Sequence, residues 1–185
     1  MLILPEKTNQ VTTDKTALHA QLNTNRQTIV DYVNTLTDEQ FVAQINNKWS
    51  AAETLQHLFL STRALNRALS SPHEFFDQWP HADRPSRSSD EIVATYRATL
   101  AGLTAAAPDS VLPRTEDLEN RADVTERFNS ISQALLSTLE NWTETDLDRY
   151  QVPHPRLGLL TIREFFLFSA YHILHHLEPM RARLA

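Results

Sequence analysis

Glycine is scarce in this chain, and that scarcity constrains the fold more than any other feature. Only two of the 185 residues are glycine, Gly102 and Gly158. Because glycine supplies the positive-φ positions of many tight turns, so few of them argue against a turn-rich β architecture. The long segments are instead rich in Ala, Leu, Glu, Gln and Arg, which favour helix. The sequence therefore predicts an all-α protein.

Length and composition limit the class of protein. A chain of 185 residues, 41% of them hydrophobic, fits a single domain spanning 1–185, with residues 1–12 as an irregular N-terminal tail. It has no cysteine, so a metal site would have to use histidines or carboxylates. The formal net charge of −6 disfavours a nucleic-acid partner.

Two further properties bear on location. The longest apolar stretch, Phe165 to Tyr171, is far shorter than the roughly 20 residues that span a bilayer, so we expect no membrane insertion. The first ten residues lack the basic and hydrophobic regions of a secretory signal. We therefore expect a cytoplasmic protein.

Hydrophobic residues recur at helical spacing in several long segments, which indicates a bundle of four or five helices. Ser50 with Glu53, and Thr161 with Glu164, match the capping-box pattern that marks a helix start. We expect long connecting loops at residues 71–89, 108–117 and 142–160, the first of them rich in proline. The predicted helices are 14–35, 50–69, 90–106, 119–141 and 161–184.

Four side chains outside the apolar helix faces receive structural interpretations. Trp49 directly precedes Ser50, where a hydrophobic residue packs against a helix entry. Arg84 and Arg87 lie in the proline-rich loop, where exposure to solvent is favoured over contact with an anionic substrate. Glu164 is expected to cap its own helix.

Three histidines occur close together near the C-terminus, in the run from Tyr171 to His176. His172 and His176 are four residues apart, which places them on one helical face, about 40° apart. With this spacing two side chains of one helix can hold one metal ion, as in the HExxH motif of zinc enzymes. His175 is directed to one side, so a His172/His175 pair ranks second. Arg183 continues the stripe of His172 and His176.

A third ligand must come from another segment, and His57 is the candidate. It lies on the helix that begins at Ser50, off the main apolar stripe of that helix, and small residues flank it. Small neighbours leave room for another helix or a ligand, which is compatible with an internal site. A lone histidine on a helix is more often structural or exposed than a ligand, so spacing alone leaves its role open.

Two blocks of the sequence resemble the DinB/YfiT-like superfamily. Residues 47–58, NKWSAAETLQHL, resemble the W-S-x-x-E-x-x-x-H-L block of this family. Residues 153–164, PHPRLGLLTIRE, followed by His172 and His176, resemble its second block, which ends in H-x-x-x-H. The two blocks occur in the order that the family shows. The resemblance implies a DinB/YfiT-like four-helix bundle with one additional helix and long connecting loops.

The resemblance also implies a function. It assigns His57, His172 and His176 as ligands of a divalent metal, often zinc or nickel in this family, and it implies a homodimer. Family members with known activity resemble metal-dependent hydrolases or transferases that use a low-molecular-weight thiol, and they act on small-molecule substrates. The chain departs from the family at Pro179, where many members carry Gln. Proline leaves the ligands intact but cannot take over a polar role of that Gln.

Three neutral imidazoles would support chemistry independently of the resemblance. On zinc they leave a fourth coordination position for water or substrate, as catalytic zinc sites do. Glu53, one turn before His57, is the candidate carboxylate that supports a ligand histidine or acts as a base. His175 is expected to be a neighbour of the site. Two functions remain open: an enzyme that activates a water or a thiol, and a non-catalytic metal- or ligand-binding helical module.

Overall fold

The computed structural model describes residues 13–102, 108–114, 118 and 120–184. Four long helices of this part of the chain form a bundle: the first two in sequence each pack against the last two. This confirms the predicted four-helix bundle. Within the described residues the helices are α1 (Lys15–Thr35), α2 (Asp38–Val42), α3 (Ala51–Leu69), α4 (Ser89–Ala101), α5 (Arg121–Glu140), α6 (Glu144–Arg149) and α7 (Ile162–Leu184).

The bundle consists of α1, α3, α5 and α7, and α4 packs on α7 as the additional helix. Both predicted capping boxes are present. At the start of α3, Ser50 Oγ accepts a hydrogen bond from Glu53 N, and Glu53 Oε2 accepts one from Ser50 N. Thr161 and Glu164 make the same reciprocal pair at the start of α7. Each box satisfies backbone N–H groups that the first turn leaves without a helical partner.

The predicted loop at residues 142–160 is wrong, because most of this segment has regular structure. It contains α6 and an antiparallel hairpin of β1 (Gln151–His154) and β2 (Gly158–Thr161). Each strand has only four residues, and β1 includes Pro153, so no alternating pattern is long enough to indicate it. Gly158 has a φ of +70°, a conformation that glycine adopts without strain.

The other boundaries differ less from the predictions. A 3₁₀ turn, His73–Gln78, lies within the predicted loop at 71–89, and α4 begins at Ser89 and ends at Ala101. Residues 103–106 of the predicted third helix, 90–106, lie outside the described residues. So do residues 115–117 of the following loop and the tail 1–12. Among the described helices, none combines the length and the apolar character that crossing a bilayer requires.

The core consists of two clusters of buried hydrophobic side chains, one toward each end of the bundle. Phe166 of α7 belongs to the cluster that also contains the hairpin residue Leu160, and Leu177 of α7 belongs to the other cluster, with Leu58 of α3. His172 lies on α7 between these two contributions. The long C-terminal helix therefore carries its histidines through the middle of the protein.

A buried carboxylate at the start of α7 ties down the proline-rich segment. The side chain of Glu164 is fully buried and accepts hydrogen bonds from the guanidinium groups of Arg84 and Arg87. The interpretation of these two arginines as solvated loop residues is therefore wrong. A long-range ion pair, invisible to local sequence patterns, fixes them, while the prediction that Glu164 caps its own helix is confirmed.

Candidate metal centre

Helices α3 and α7 bring three histidines to one point. His57 Nε2 lies 3.4 Å from His172 Nε2, and His176 Nε2 lies 3.0 Å from the same atom. The three ligand nitrogens all lie within 4.8 Å of one another. A tetrahedral zinc site with Zn–N bonds of about 2.0–2.1 Å separates its nitrogens by about 3.4 Å. One metal ion can therefore be bound by all three with small adjustments.

The local structure explains how each ring reaches this point. His172 and His176 lie one turn apart on α7, as predicted, and their ring centroids are 4.7 Å apart. His57 lies on α3, which packs against α7, and its ring centroid is 4.7 Å from that of His176 and 5.2 Å from that of His172. The third histidine thus comes from the separately capped helix that the sequence indicated.

Burial keeps the three imidazoles neutral. His57 and His172 are buried and His176 is half-buried. Desolvation is the largest cause that lowers the pKa of each ring, and the nearby histidines lower the pKa of His172 and His176 further. A neutral ring can direct a free nitrogen lone pair at a metal ion, which a protonated ring cannot do.

The carbonyl oxygen of Val111 orients His57. It lies 2.8 Å from His57 Nδ1, so Nδ1 carries the hydrogen and Nε2 is free to bind a metal. The sequence had indicated Glu53 as the group that supports a ligand histidine in this way. The oxygens of Glu53 instead accept hydrogen bonds from Ser50 N, at 2.8 Å, and Gln44 Nε2, at 2.7 Å. The helix cap and the Gln44 side chain occupy this carboxylate, and a role for Glu53 as a base stays a prediction.

His175 lies beside the cluster and is not part of it. Its ring centroid is 4.9 Å from that of His176 and 5.4 Å from that of Tyr96, which it meets edge to face. Among the described residues, the group whose nitrogens converge contains His57, His172 and His176 without His175. The structure therefore favours the His172/His176 pair over the alternative His172/His175 pair.

A cavity of about 370 Å³ opens beside His176. The ring of Trp49 forms part of its wall, with its centroid 4.8 Å from that of His57, and it stacks on His176 at 6.2 Å. The sequence had suggested only that Trp49 packs at a helix entry. In the structure its ring also covers the histidine cluster. The cavity is lined by Asn47, Lys48, Trp49, Thr54, His175, His176, Pro179 and Arg183.

Helix α7 continues through Pro179 to Leu184. Proline has no backbone N–H to donate to the carbonyl of His175, yet His172 and His176, the two histidines of the cluster on α7, keep their positions one turn apart. The family's Gln position is thus occupied by an apolar ring that lines the cavity. Position 179 itself therefore supplies no side-chain amide.

Sequence reasoning did not assign two kinds of residue to the site. Val111 supplies a backbone carbonyl, which any residue type could supply, so no sequence signal marks it. Lys48 and Arg183 both line the cavity. Arg183 had a usable signal, because it lies seven residues after His176 on the same helical stripe. Lys48 lies next to Trp49 within the first family block.

The fold and the cluster define the class of protein: a helical bundle with a three-histidine group of the kind that can hold a divalent metal. A model of the DinB superfamily matches residues 21–180. The chain belongs to the DinB superfamily, and the resemblance of its two sequence blocks is confirmed.

Solved structures agree with this assignment. TT2238, described as a four-helix bundle protein, has a TM-score of 0.58 and 15% identity, over 91% of this chain and 99% of that chain. YfiT from Bacillus subtilis is described as a probable metal-dependent hydrolase with an unusual four-helix bundle topology. It has a TM-score of 0.55 and 15% identity, over 98% of this chain and 93% of that chain. At this identity the likeness shows the fold alone. No curated protein matches the chain.

Proposed function

We propose that this protein is a divalent-metal-dependent enzyme that activates a water or a thiol at His57, His172 and His176. One observation carries the proposal: three neutral imidazoles, two of them buried and one half-buried, direct their Nε2 atoms at one point beside an open cavity. A structural zinc site has four protein ligands, whereas three ligands and a cavity are typical of a catalytic one.

Some residues of the site would bind the metal ion, and others orient these ligands. His57, His172 and His176 would hold the ion, and the Val111 carbonyl keeps His57 in the tautomer that exposes Nε2. A bound divalent metal, with no anionic ligand to reduce its charge, supplies a water of pKa about 7 or stabilises a thiolate. Trp49 shields the rings on the side of the cavity.

The donor set supports zinc or nickel over calcium or magnesium. All three donors are imidazole nitrogens, whereas magnesium and calcium prefer carboxylate, carbonyl and water oxygens. Since the chain has no cysteine, protein thiolates do not contribute. The similarity of the fold to a protein described as a probable metal-dependent hydrolase agrees with this choice of chemistry.

The composition of the cavity wall favours a thiol over a water as the activated group. Hydrolysis at a metal needs a general base near the bound water. Within the described part of the chain, no Asp or Glu is among the residues that line the cavity, and both oxygens of Glu53 are held by hydrogen bonds. A thiol that binds a metal as thiolate needs no such base at its side. Hydrolysis with Glu53 or a histidine as base is the second candidate.

Metal analysis of tag-free protein tests the site. We expect about one zinc or nickel ion per chain, and less than a tenth of that in His57→Ala and His176→Ala, because two imidazoles alone bind far more weakly. His175→Ala is the matched control: it removes a neighbouring imidazole outside the converging group and should keep the metal. Full metal content in both ligand variants refutes the three-histidine assignment.

An activity screen separates the enzyme from the non-catalytic module. The metal-loaded protein is incubated with small thiols and electrophiles, and in parallel with a panel of esters and amides. Turnover that requires a thiol supports the first candidate, and turnover of esters or amides without thiol supports the second. A protein that binds metal fully and turns over neither class is the non-catalytic module.

A further inference from the structure

The cavity beside the histidine cluster carries two cationic side chains. Lys48 lies directly before Trp49, and Arg183 lies in the last turn of α7. Of the residues that the structure describes, no Asp or Glu lines the cavity, although the chain as a whole has a net charge of −6. The described wall, with its two cations, is thus opposite in charge to the protein as a whole.

Hydrogen bonding holds Arg183 at the edge of the cavity. Its Nη2 donates to the carbonyl oxygen of Trp49 at 3.2 Å, which links the end of α7 to the segment before α3. A guanidinium has five N–H donors, and this contact uses one of them. Arg183 follows His176 by seven residues on α7 and lines the same cavity, so its charge lies beside the histidine cluster.

A tight turn positions Lys48. Lys48 N donates to the carbonyl oxygen of Ile45 at 3.1 Å, and Asn46 and Asn47 between them have φ values of +54° and +55°. Two successive positive-φ residues define a type I′ turn, a conformation in which asparagine is favoured. The Lys48 side chain is exposed and makes no ion pair with a described carboxylate. Its charge is thus available to a ligand in the cavity.

We propose that Lys48 and Arg183 form a subsite for a carboxylate of the substrate, next to the metal-binding end of the same molecule. The ligand is then a small anion with one group that binds the metal and one carboxylate that contacts the two cations. Guanidinium and ammonium groups both form charge-assisted hydrogen bonds to carboxylates. This assignment of substrate class rests on the proposed function for the metal-binding end.

A matched pair of probes tests the subsite. 3-Mercaptopropionate and 3-mercapto-1-propanol have the same chain length and the same thiol, and only the first carries a carboxylate. Each is titrated into zinc-loaded protein, and binding is followed by the NMR signal of the Trp49 indole N–H, assigned with Trp49→Phe. We expect the carboxylate probe to bind about tenfold more tightly, the size of one charge-assisted hydrogen bond at a partly exposed site.

Variants show where the preference originates. In Lys48→Gln and in Arg183→Gln we expect the tenfold preference to fall to about threefold or less. Arg181→Gln is the matched control: it removes the same charge from α7, at an arginine that lies over the ring of Tyr32 and outside the cavity wall. It should keep the full preference. Lys48→Gln leaves the Arg183–Trp49 hydrogen bond in place, so the test does not depend on that contact.

The outcomes separate this inference from the proposed function. Equal binding of the two probes to the wild type, no binding of either, or a preference that both glutamine variants retain overturns the subsite; the last result would place the carboxylate on the metal. The metal content of each sample is measured first, since a chain without metal refutes the proposed function. The same titration of metal-free protein with propionate and 1-propanol then still decides whether the two cations select a carboxylate.

Discussion

Replacing Glu164 with Gln should destabilise the fold by removing a buried charge. The Glu164 carboxylate accepts hydrogen bonds from Arg84 and Arg87 and from the backbone of Thr161. Gln has nearly the same shape and also suits the third position of a capping box. The substitution therefore keeps the helix cap and changes mainly the electrostatic interaction with the two arginines.

The lowered pKa of Glu164 gives the size of the expected loss of stability. Burial alone would raise the pKa of Glu164, but the hydrogen bonds and charges of the two arginines outweigh it and lower this pKa to about 2, from an ordinary 4.5. That gap corresponds to about 3 kcal/mol in favour of the charged form. Because the side chains of Arg84 and Arg87 are 35% and 24% exposed, water can partly solvate them in the variant. We expect a loss of about 2–3 kcal/mol in the free energy of unfolding at pH 7.

The pH dependence has a defined sign. The pKa of Glu164 is lower in the folded than in the unfolded chain, so its contribution to stability is fully present above about pH 4.5. The contribution is lost as the pH falls from about 4.5 to about 2. The wild type should therefore lose its advantage over Glu164→Gln across this range, and the two proteins should have similar stability at its acid end.

Urea unfolding at pH 7, 5, 4 and 3 measures the effect, with circular dichroism and tryptophan fluorescence compared as a check of two-state behaviour. Glu91→Gln is the control, because it makes the same change at the same capping-box position of α4, where the side chain is exposed. We expect the control to lose less than about 1 kcal/mol. If Glu164→Gln is no less stable than Glu91→Gln, or if its deficit persists unchanged at low pH, the ion-pair reasoning is refuted.

Two further predictions concern His154 and the turn before Trp49. Burial, with a smaller effect of the Arg156 charge, lowers the pKa of His154 to about 4 from an ordinary 6.5. As the pH falls, the unfolded chain thus binds the proton before the folded chain does. The free energy of unfolding of the wild type should therefore decrease by roughly 2 kcal/mol between pH 6.5 and 4, a value reduced because the ring is half-exposed. In His154→Gln, urea unfolding at several pH values should lack this part of the slope; an identical slope contradicts the assignment. Asn47 has a φ of +55°, which strains a residue with a Cβ. Asn47→Ala should lower the free energy of unfolding by about 1 kcal/mol and Asn47→Gly by less, as measured by thermal unfolding. Equal unfolding midpoints of the two variants contradict this argument.

The helices of the bundle could be predicted because their signals are local. The capping boxes at Ser50 and Thr161 each join residues three apart in sequence, and the hydrophobic period of each helix repeats within a few turns. The observed starts of α3, at Ala51, and α7, at Ile162, follow these caps directly. Local interactions of this kind do not depend on how the helices pack, so the sequence alone was sufficient.

The hairpin and the buried ion pairs could not be predicted for the opposite reason. Arg84 and Arg87 are about eighty residues from Glu164 in sequence, and nothing nearby distinguishes them from exposed loop arginines. Their pairing with Glu164 follows from the fold that brings the proline-rich segment against the start of α7. The four-residue strands of the hairpin are likewise stabilised by packing on the bundle rather than by a pattern of their own.

The candidate site combines features that local sequence predicts with features that only the packing of distant segments creates. The spacing of His172 and His176 is a property of one helix, and geometry alone predicts that their rings are neighbours. His57 required the family block, because only the packing of α3 on α7 brings its ring to the pair. The Val111 carbonyl was beyond prediction, since a backbone acceptor carries no residue signature.

The difference between local and long-range signals explains why the metal donors are better determined than the substrate. The metal site depends on three side chains of one type, whose donor atoms and neutral state follow from imidazole chemistry and burial. The proposed substrate subsite depends instead on the cavity wall, where Lys48 and Arg183 come from segments far apart in sequence. Because the wall pairs a neutral donor set with cationic neighbours, an anionic ligand would experience the charges of a bound metal and both side chains together. Under the proposed function, we therefore expect a substrate carrying a carboxylate to be selected by the same electrostatic field that would stabilise a metal-bound thiolate or hydroxide.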